Sequence, residues 1–140
     1  MSYDRLIRQR DAIEARAEAL VALVDGPPRV AEAVDLLRRL AGLIRDHVAN
    51  EDLILADTLR AAARDRHHAA AATAIRDVED LREDWALYLY RWSPAAIARD
   101  WGRFALETRA TMERVGGLAV RGTAILYSLA LHYRLIAPRR

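Results

Sequence analysis

VDLLRRLAGLIRDHVANEDLIL, residues 34–55, decides how this chain is read. Val34, Leu37, Ala41, Ile44, Val48 and Leu55 fall on alternating steps of three and four, the apolar stripe of a helix that packs against others. Thr58 and Ala62 extend the stripe, so one long helix is predicted from about Arg29 to Ala63. A single position breaks the rule: Glu51 stands where the stripe asks for an apolar side chain. His47 lies one turn earlier, beside the seam. Residues i and i+4 sit one above the other on a helix, so imidazole and carboxylate project from one face. That is half of a metal site, and a bundle holding two ions needs further donors from neighbouring helices.

Working outward, a first helix is predicted over about Tyr3 to Val24, with Leu6, Ile13, Ala17, Leu20 and Val24 facing inward. Asp25-Gly26-Pro27-Pro28 ends it and starts the long helix. A third helix follows a corner near 64–66 and runs to about Arg91, its inner face marked by Ile75, Val78, Leu81, Trp85, Leu89 and Trp92. Ser93-Pro94 reads as an N-cap followed by a first-turn proline. Whether 95–99 forms its own short helix or the start of the last one is open at this level. The last helix carries Trp101, Phe104, Leu106, Met112, Val115, Leu118, Ile125, Leu126 and Leu129. Gly116-Gly117 inside it allows a kink or close packing. Short connections between long helices predict an all-α fold, an antiparallel up-down-up-down four-helix bundle forming one domain over 1–140.

Composition narrows the function. All 22 basic residues are arginine, and they nearly balance 20 acidic residues to leave a net charge of +2. The two signs alternate along the same segments, which describes a solvated face, and no basic stripe suited to nucleic acid stands out. With no cysteine there is no disulfide framework or thiolate site. The N-terminus lacks the apolar core of a signal peptide. The apolar stretch from Gly122 to Tyr133 is shorter than the roughly 20 residues a spanning helix needs. A cytoplasmic protein with no membrane and no nucleic-acid partner is expected.

Leu40-x-x-x-Ile44-x-x-His47-x-x-x-Glu51-Asp52-x-x-Leu55 resembles the second helix of hemerythrin-like (HHE cation-binding) domains. Leu6-Ile-Arg-Gln-Arg-Asp-Ala-Ile13 is similar to that family's first helix, and Ile125-Leu126-Tyr127-Ser128-Leu129-Ala130 resembles the end of its last. The resemblance implies a pair of iron ions held by two HxxxE-type elements and by histidines on the first and third helices. Only His47 and Glu51 match that ligand set here. The first-helix histidine position falls at about Arg10, and the second HxxxE element falls on Leu118 and Gly122.

The expectation is therefore a hemerythrin-like domain that has lost its diiron centre and holds no cofactor. It would act as a non-enzymatic binding, regulatory or scaffolding module for an unknown protein or small molecule, with a homodimer allowed. The alternative is a metal-binding member that uses an incomplete ligand set to store iron or to sense oxygen or nitric oxide. His67 and His68, at the corner after the long helix, sit about 15–20 Å from the level of Glu51 at 1.5 Å per residue. His132 is in no HxxxE spacing, and the carboxylates from Glu79 to Glu83 read as a solvated face. Arginine is expected to replace the metal charge, with Glu51 neutralised by Arg10 or Arg121. His47 itself is expected exposed or half-buried. Trp85, Trp92, Trp101, Tyr88 and Tyr90 read as core in preference to the lining of a cavity. Phosphotransfer through His47 is disfavoured by the carboxylate at Glu51, and no Ser–His–Asp or phosphate-loop signature occurs.

Overall fold

The computed structural model describes residues 3–62 and 68–132, apart from the side chains at 3, 54–56, 58–62, 68–71, 74, 75, 118–126, 129, 130 and 132. The described residues form five helices and no strand: α1 (Tyr3–Val24), α2 (Val30–Ala62), α3 (His68–Arg91), α4 (Pro94–Arg99) and α5 (Trp101–His132). Among the described residues no helix is long and apolar enough to cross a membrane.

The boundaries follow from local chemistry. At the end of α1, the Asp25 N–H donates to the Val21 carbonyl at 3.1 Å and the Gly26 N–H to the Leu23 carbonyl at 3.2 Å. Two prolines then forbid continuation. Arg29 precedes α2 instead of opening it, because its carbonyl already accepts from the Ala33 N–H at 3.0 Å. The open question at 95–99 resolves to a separate helix, α4. Ser93 is extended (φ −65°, ψ 161°), with its hydroxyl accepting from the Ala96 N–H and Pro94 in the first turn. Asp100 then closes α4 and opens α5: its N–H donates to the Ala96 carbonyl at 3.1 Å, and its Oδ1 accepts from the Arg103 N–H at 3.2 Å.

In the core, α1 packs on α2 and α5, while α3 packs chiefly on α5 and also on α2. The first-helix stripe is buried as expected: Leu6, Ile13, Ala17, Leu20 and Val24. Among the described side chains of α2 the buried apolar ones are Ala33, Leu37 and Leu40, whereas Val34, Ala41, Ile44 and Val48 are half-buried. Trp85, Tyr88 and Trp92 from α3 meet Phe104, Ala105, Met112 and Val115 from α5 in the same core. Leu106, apolar though it is, is 66% exposed. It lies two residues past Phe104, about 200° around the helix, so both cannot face inward. Thr108 and Thr111 take the inner positions instead.

Polar contacts set the level of α3 against α5. The buried Tyr88 and Thr108 hydroxyls share a hydrogen bond of 2.7 Å. Trp92 Nε1 and Arg91 Nη1 both donate to Glu107 Oε2, at 2.7 and 2.9 Å. Burial pushes the Glu107 carboxyl up, but hydrogen bonds from Arg91 and Trp92, with the Arg91 charge, outweigh it and hold the group below its usual range. Arg109 bridges to Asp25 at 2.6 Å and Arg114 to Asp84 at 3.2 Å. Exposed pairs of this kind add little stability but fix register.

Candidate functional site

His47 and Glu51 are both buried, at 4% and 7% exposure, so the exposed or half-buried histidine expected from the sequence is corrected. The i,i+4 spacing sets His47 Nε2 at 3.1 Å from Glu51 Oε1. That is ion-pair distance for an imidazolium, yet the alignment is not that of a hydrogen bond, and Nε2 makes none. The second ring nitrogen faces α1: Nδ1 lies 3.2 Å from Gln9 Oε1. A donating Nδ1–H would fix the tautomer and hold the ring in place.

Arg10, one of the two arginines expected to neutralise Glu51, is directed elsewhere. Arg10 turns its guanidinium to Asp11 Oδ1, with Nη2 at 3.2 Å, and its side chain is 23% exposed. Gln9 and Arg10 compete for the same step of the stripe between Leu6 and Ile13. A neutral amide loses less on burial than a guanidinium, so Gln9 is the one that reaches His47. Among the described residues, the side chain that faces Glu51 is His47, not Arg10. The side chain of Arg121 lies outside the described residues, as do those of Leu118, His67, His68 and His132; so does anything about the space around Gly122.

A diiron centre is what the sequence resemblance implies, and the described donor set does not fit one. Among the described residues, no three His, Cys, Asp or Glu side chains converge as a metal ion would require. Asp52, next in sequence to Glu51, bonds Arg82 Nη1 at 2.8 Å across the α2–α3 contact. Glu79, Asp80 and Glu83 point to solvent. Among the described residues the site holds one imidazole and one carboxylate from a single helix, with a neutral amide beside the imidazole.

Beside the pair lies a cavity of about 420 Å³ between α1, α2, α3 and α5. Ile13, Ile44, Leu81, Trp85, Leu89 and Val115 supply most of its apolar wall. The polar members of the wall are His47, Glu51, Arg45 and Arg82. Trp85 therefore serves both core and cavity; Tyr88 and Trp92 are buried in the core, while Tyr90 is 89% exposed. Sequence reasoning missed Gln9 and Arg82. A signal for each exists in the spacing: Gln9 sits three after Leu6 and four before Ile13, and Arg82 sits between Val78 and Trp85 with steps of four and three.

Compared with known proteins, the chain matches no family model, no curated protein and no solved structure. The chemistry of the site carries the functional reading.

Proposed function

We propose that this chain is a small-molecule-binding module, an antiparallel up-down-up-down four-helix bundle of hemerythrin-like lineage whose diiron centre has been lost. The cavity of about 420 Å³ carries this reading. Its volume is within the usual range for small-molecule sites, and a mostly apolar wall with a few polar groups is their usual chemistry. Lineage is supported by the His47-to-Leu55 motif, and loss of the metal centre by the pairing of its two surviving ligand types with each other. The described wall offers no Ser, Thr, Cys or Lys nucleophile, which supports binding over catalysis. Charges interleaved along the helices, as in Asp35 with Arg39 and Arg29 with Glu32, support a cytoplasmic module that works apart from nucleic acid and membranes.

The test has two measurements on the purified protein. Metal content after growth in iron-rich medium is expected to be far below one ion per chain. The unfolding midpoint is expected to rise with added 1-decanol, because a ligand that binds only the folded state stabilises it by mass action. Stoichiometric iron would establish the metal-binding alternative, and a midpoint indifferent to decanol would remove the binding reading.

A further inference from the structure

We infer that the ligand of this cavity is slender and uncharged, an unbranched aliphatic chain of about ten to twelve carbons lying along the helices. The inference rests on the small-molecule reading above and adds the shape and chemical class of the ligand. The described wall runs from Ala41 to Glu51 on α2 and from Val78 to Leu89 on α3. At 1.5 Å per residue, each span is about 15 Å long. An extended chain advances about 1.2 Å per bond, so that length takes roughly twelve bonds. The volume sets the width. At about 30 Å³ per water-sized group, the cavity of about 420 Å³ holds roughly fourteen non-hydrogen atoms. Length and volume agree only for a single file of atoms, so the hollow is a slot.

Hydrocarbon makes up most of the slot. Ile13 of α1 and Val115 of α5 are buried in its inner side, while half-buried Ile44, Leu81 and Leu89 flank it on α2 and α3. The described charges balance without help from a ligand. Arg45 and Arg82 stand against Glu51 and against Asp52, which accepts from Arg82 Nη1 at 2.8 Å. Arg82 Nε and Nη2 have no surface open to a ligand, and neither has His47 Nε2. Arg45 is exposed and lays Nη2 over its own helix, 3.8 Å from where a Cβ on Gly42 would stand. An anion in the slot would meet Glu51, and a cation would meet Arg82. Among the described residues no unmatched charge is left to offset the water that either ion would lose. A neutral chain loses little water and covers the apolar wall.

The experiment is calorimetry on the full chain with 1-hexanol, 1-octanol, 1-decanol, decanoate, decylammonium and 1-adamantanemethanol, a compact alcohol close to decanol in bulk. Affinity is expected to rise about fourfold per methylene from hexanol to decanol, as each added group covers more of the wall. Decanol should bind about tenfold or more tighter than decanoate or decylammonium, since an ion gives up its hydration. It should exceed 1-adamantanemethanol by a similar factor, because a cage does not fit a single-file slot without strain. Ala41 stands at one end of the α2 wall, so Ala41→Leu should shorten the slot: hexanol binding is kept and decanol binding lost. Decanoate or decylammonium binding as tightly as decanol overturns the inference, and so does 1-adamantanemethanol doing the same; neither comparison relies on a folded variant. Hexanol and decanol weakened alike in Ala41→Leu overturn it as well. Each of these results leaves the cavity reading standing, whereas binding of no probe removes both.

Discussion

Glu51 puts a carboxylate into an apolar stripe, and His47 one turn before it makes that tolerable. Nε2 lies 3.1 Å from Glu51 Oε1, and the two buried side chains face each other. His47→Leu should cost about 3 kcal/mol in urea unfolding, because it sets an apolar side chain against the buried Glu51 carboxylate in place of a polar one. Glu51→Leu should cost less, since His47 keeps its contact with Gln9, and the double variant should recover most of the loss. Additive losses across the cycle would show that the pair does not interact. Tyr88 offers a second measurement. Burial pushes its phenol from 10.0 to about 12, with the Thr108 hydrogen bond pulling the other way and the Glu107 charge adding to the rise. A pKa higher in the folded than in the unfolded chain stabilises the fold fully below pH 10 and loses that stabilisation between 10 and about 12. Tyr88→Phe should flatten the alkaline fall in unfolding midpoint across that window; an unchanged fall would assign it to another group. The His47–Glu51 pair was legible in the sequence because i,i+4 contact is set within one helix. Gln9 and Arg82 were not, because their roles depend on how α1 and α3 are rotated against α2, and two adjacent residues competed for each seam position.

At the scale of the element, the helix ends were legible where the chemistry of termination is local. Asp25-Gly26-Pro27-Pro28 and Ser93-Pro94 stop and start helices through their own backbone constraints. Asp100 was not marked in advance. Its double role in closing α4 and opening α5 needs the hydrogen bonds to Ala96 and Arg103, which spacing alone does not reveal. On α5 the inner face also includes Thr108 and Thr111, polar by composition yet buried, while the apolar Leu106 faces solvent. Apolar character pointed the wrong way there because the Thr108 hydroxyl is satisfied by Tyr88. Gly116 is a related case. It was expected to allow a kink or a close approach, but α5 runs unbroken through it and a Cβ would meet nothing within 4 Å. Gly116→Ala should therefore stabilise the protein by about 0.5–1 kcal/mol through helix propensity and a less free unfolded chain. A lower unfolding midpoint in that variant would mean that the glycine is needed for packing after all.

Across the whole molecule, packing is uneven. Around Leu20, Leu40, Ile97 and Phe104 the side chains are closed off from solvent, whereas beside His47 the same core opens into a cavity of about 420 Å³. Unfilled apolar space forfeits contacts that a packed interior would make. A chain of this size has a net stability of only about 5–15 kcal/mol, so such a hollow is a substantial concession by the fold. Retaining it makes sense if occupancy matters more than stability, the trade seen where function and packing compete. Ala41 separates the two demands. It lies half-buried on α2, lines the cavity and sits in a helix where leucine is nearly as favourable as alanine. Ala41→Leu places added apolar volume in the hollow, and it should raise the urea midpoint by the equivalent of about 1 kcal/mol. The same variant should no longer be stabilised by 1-decanol, because the added side chain occupies the ligand's space. A lower midpoint would mean that the added volume clashes and the hollow is smaller than described. A higher midpoint with decanol stabilisation intact would put the ligand elsewhere on the molecule. Only the joint result, more stable and unresponsive, is what a core kept open for a ligand predicts.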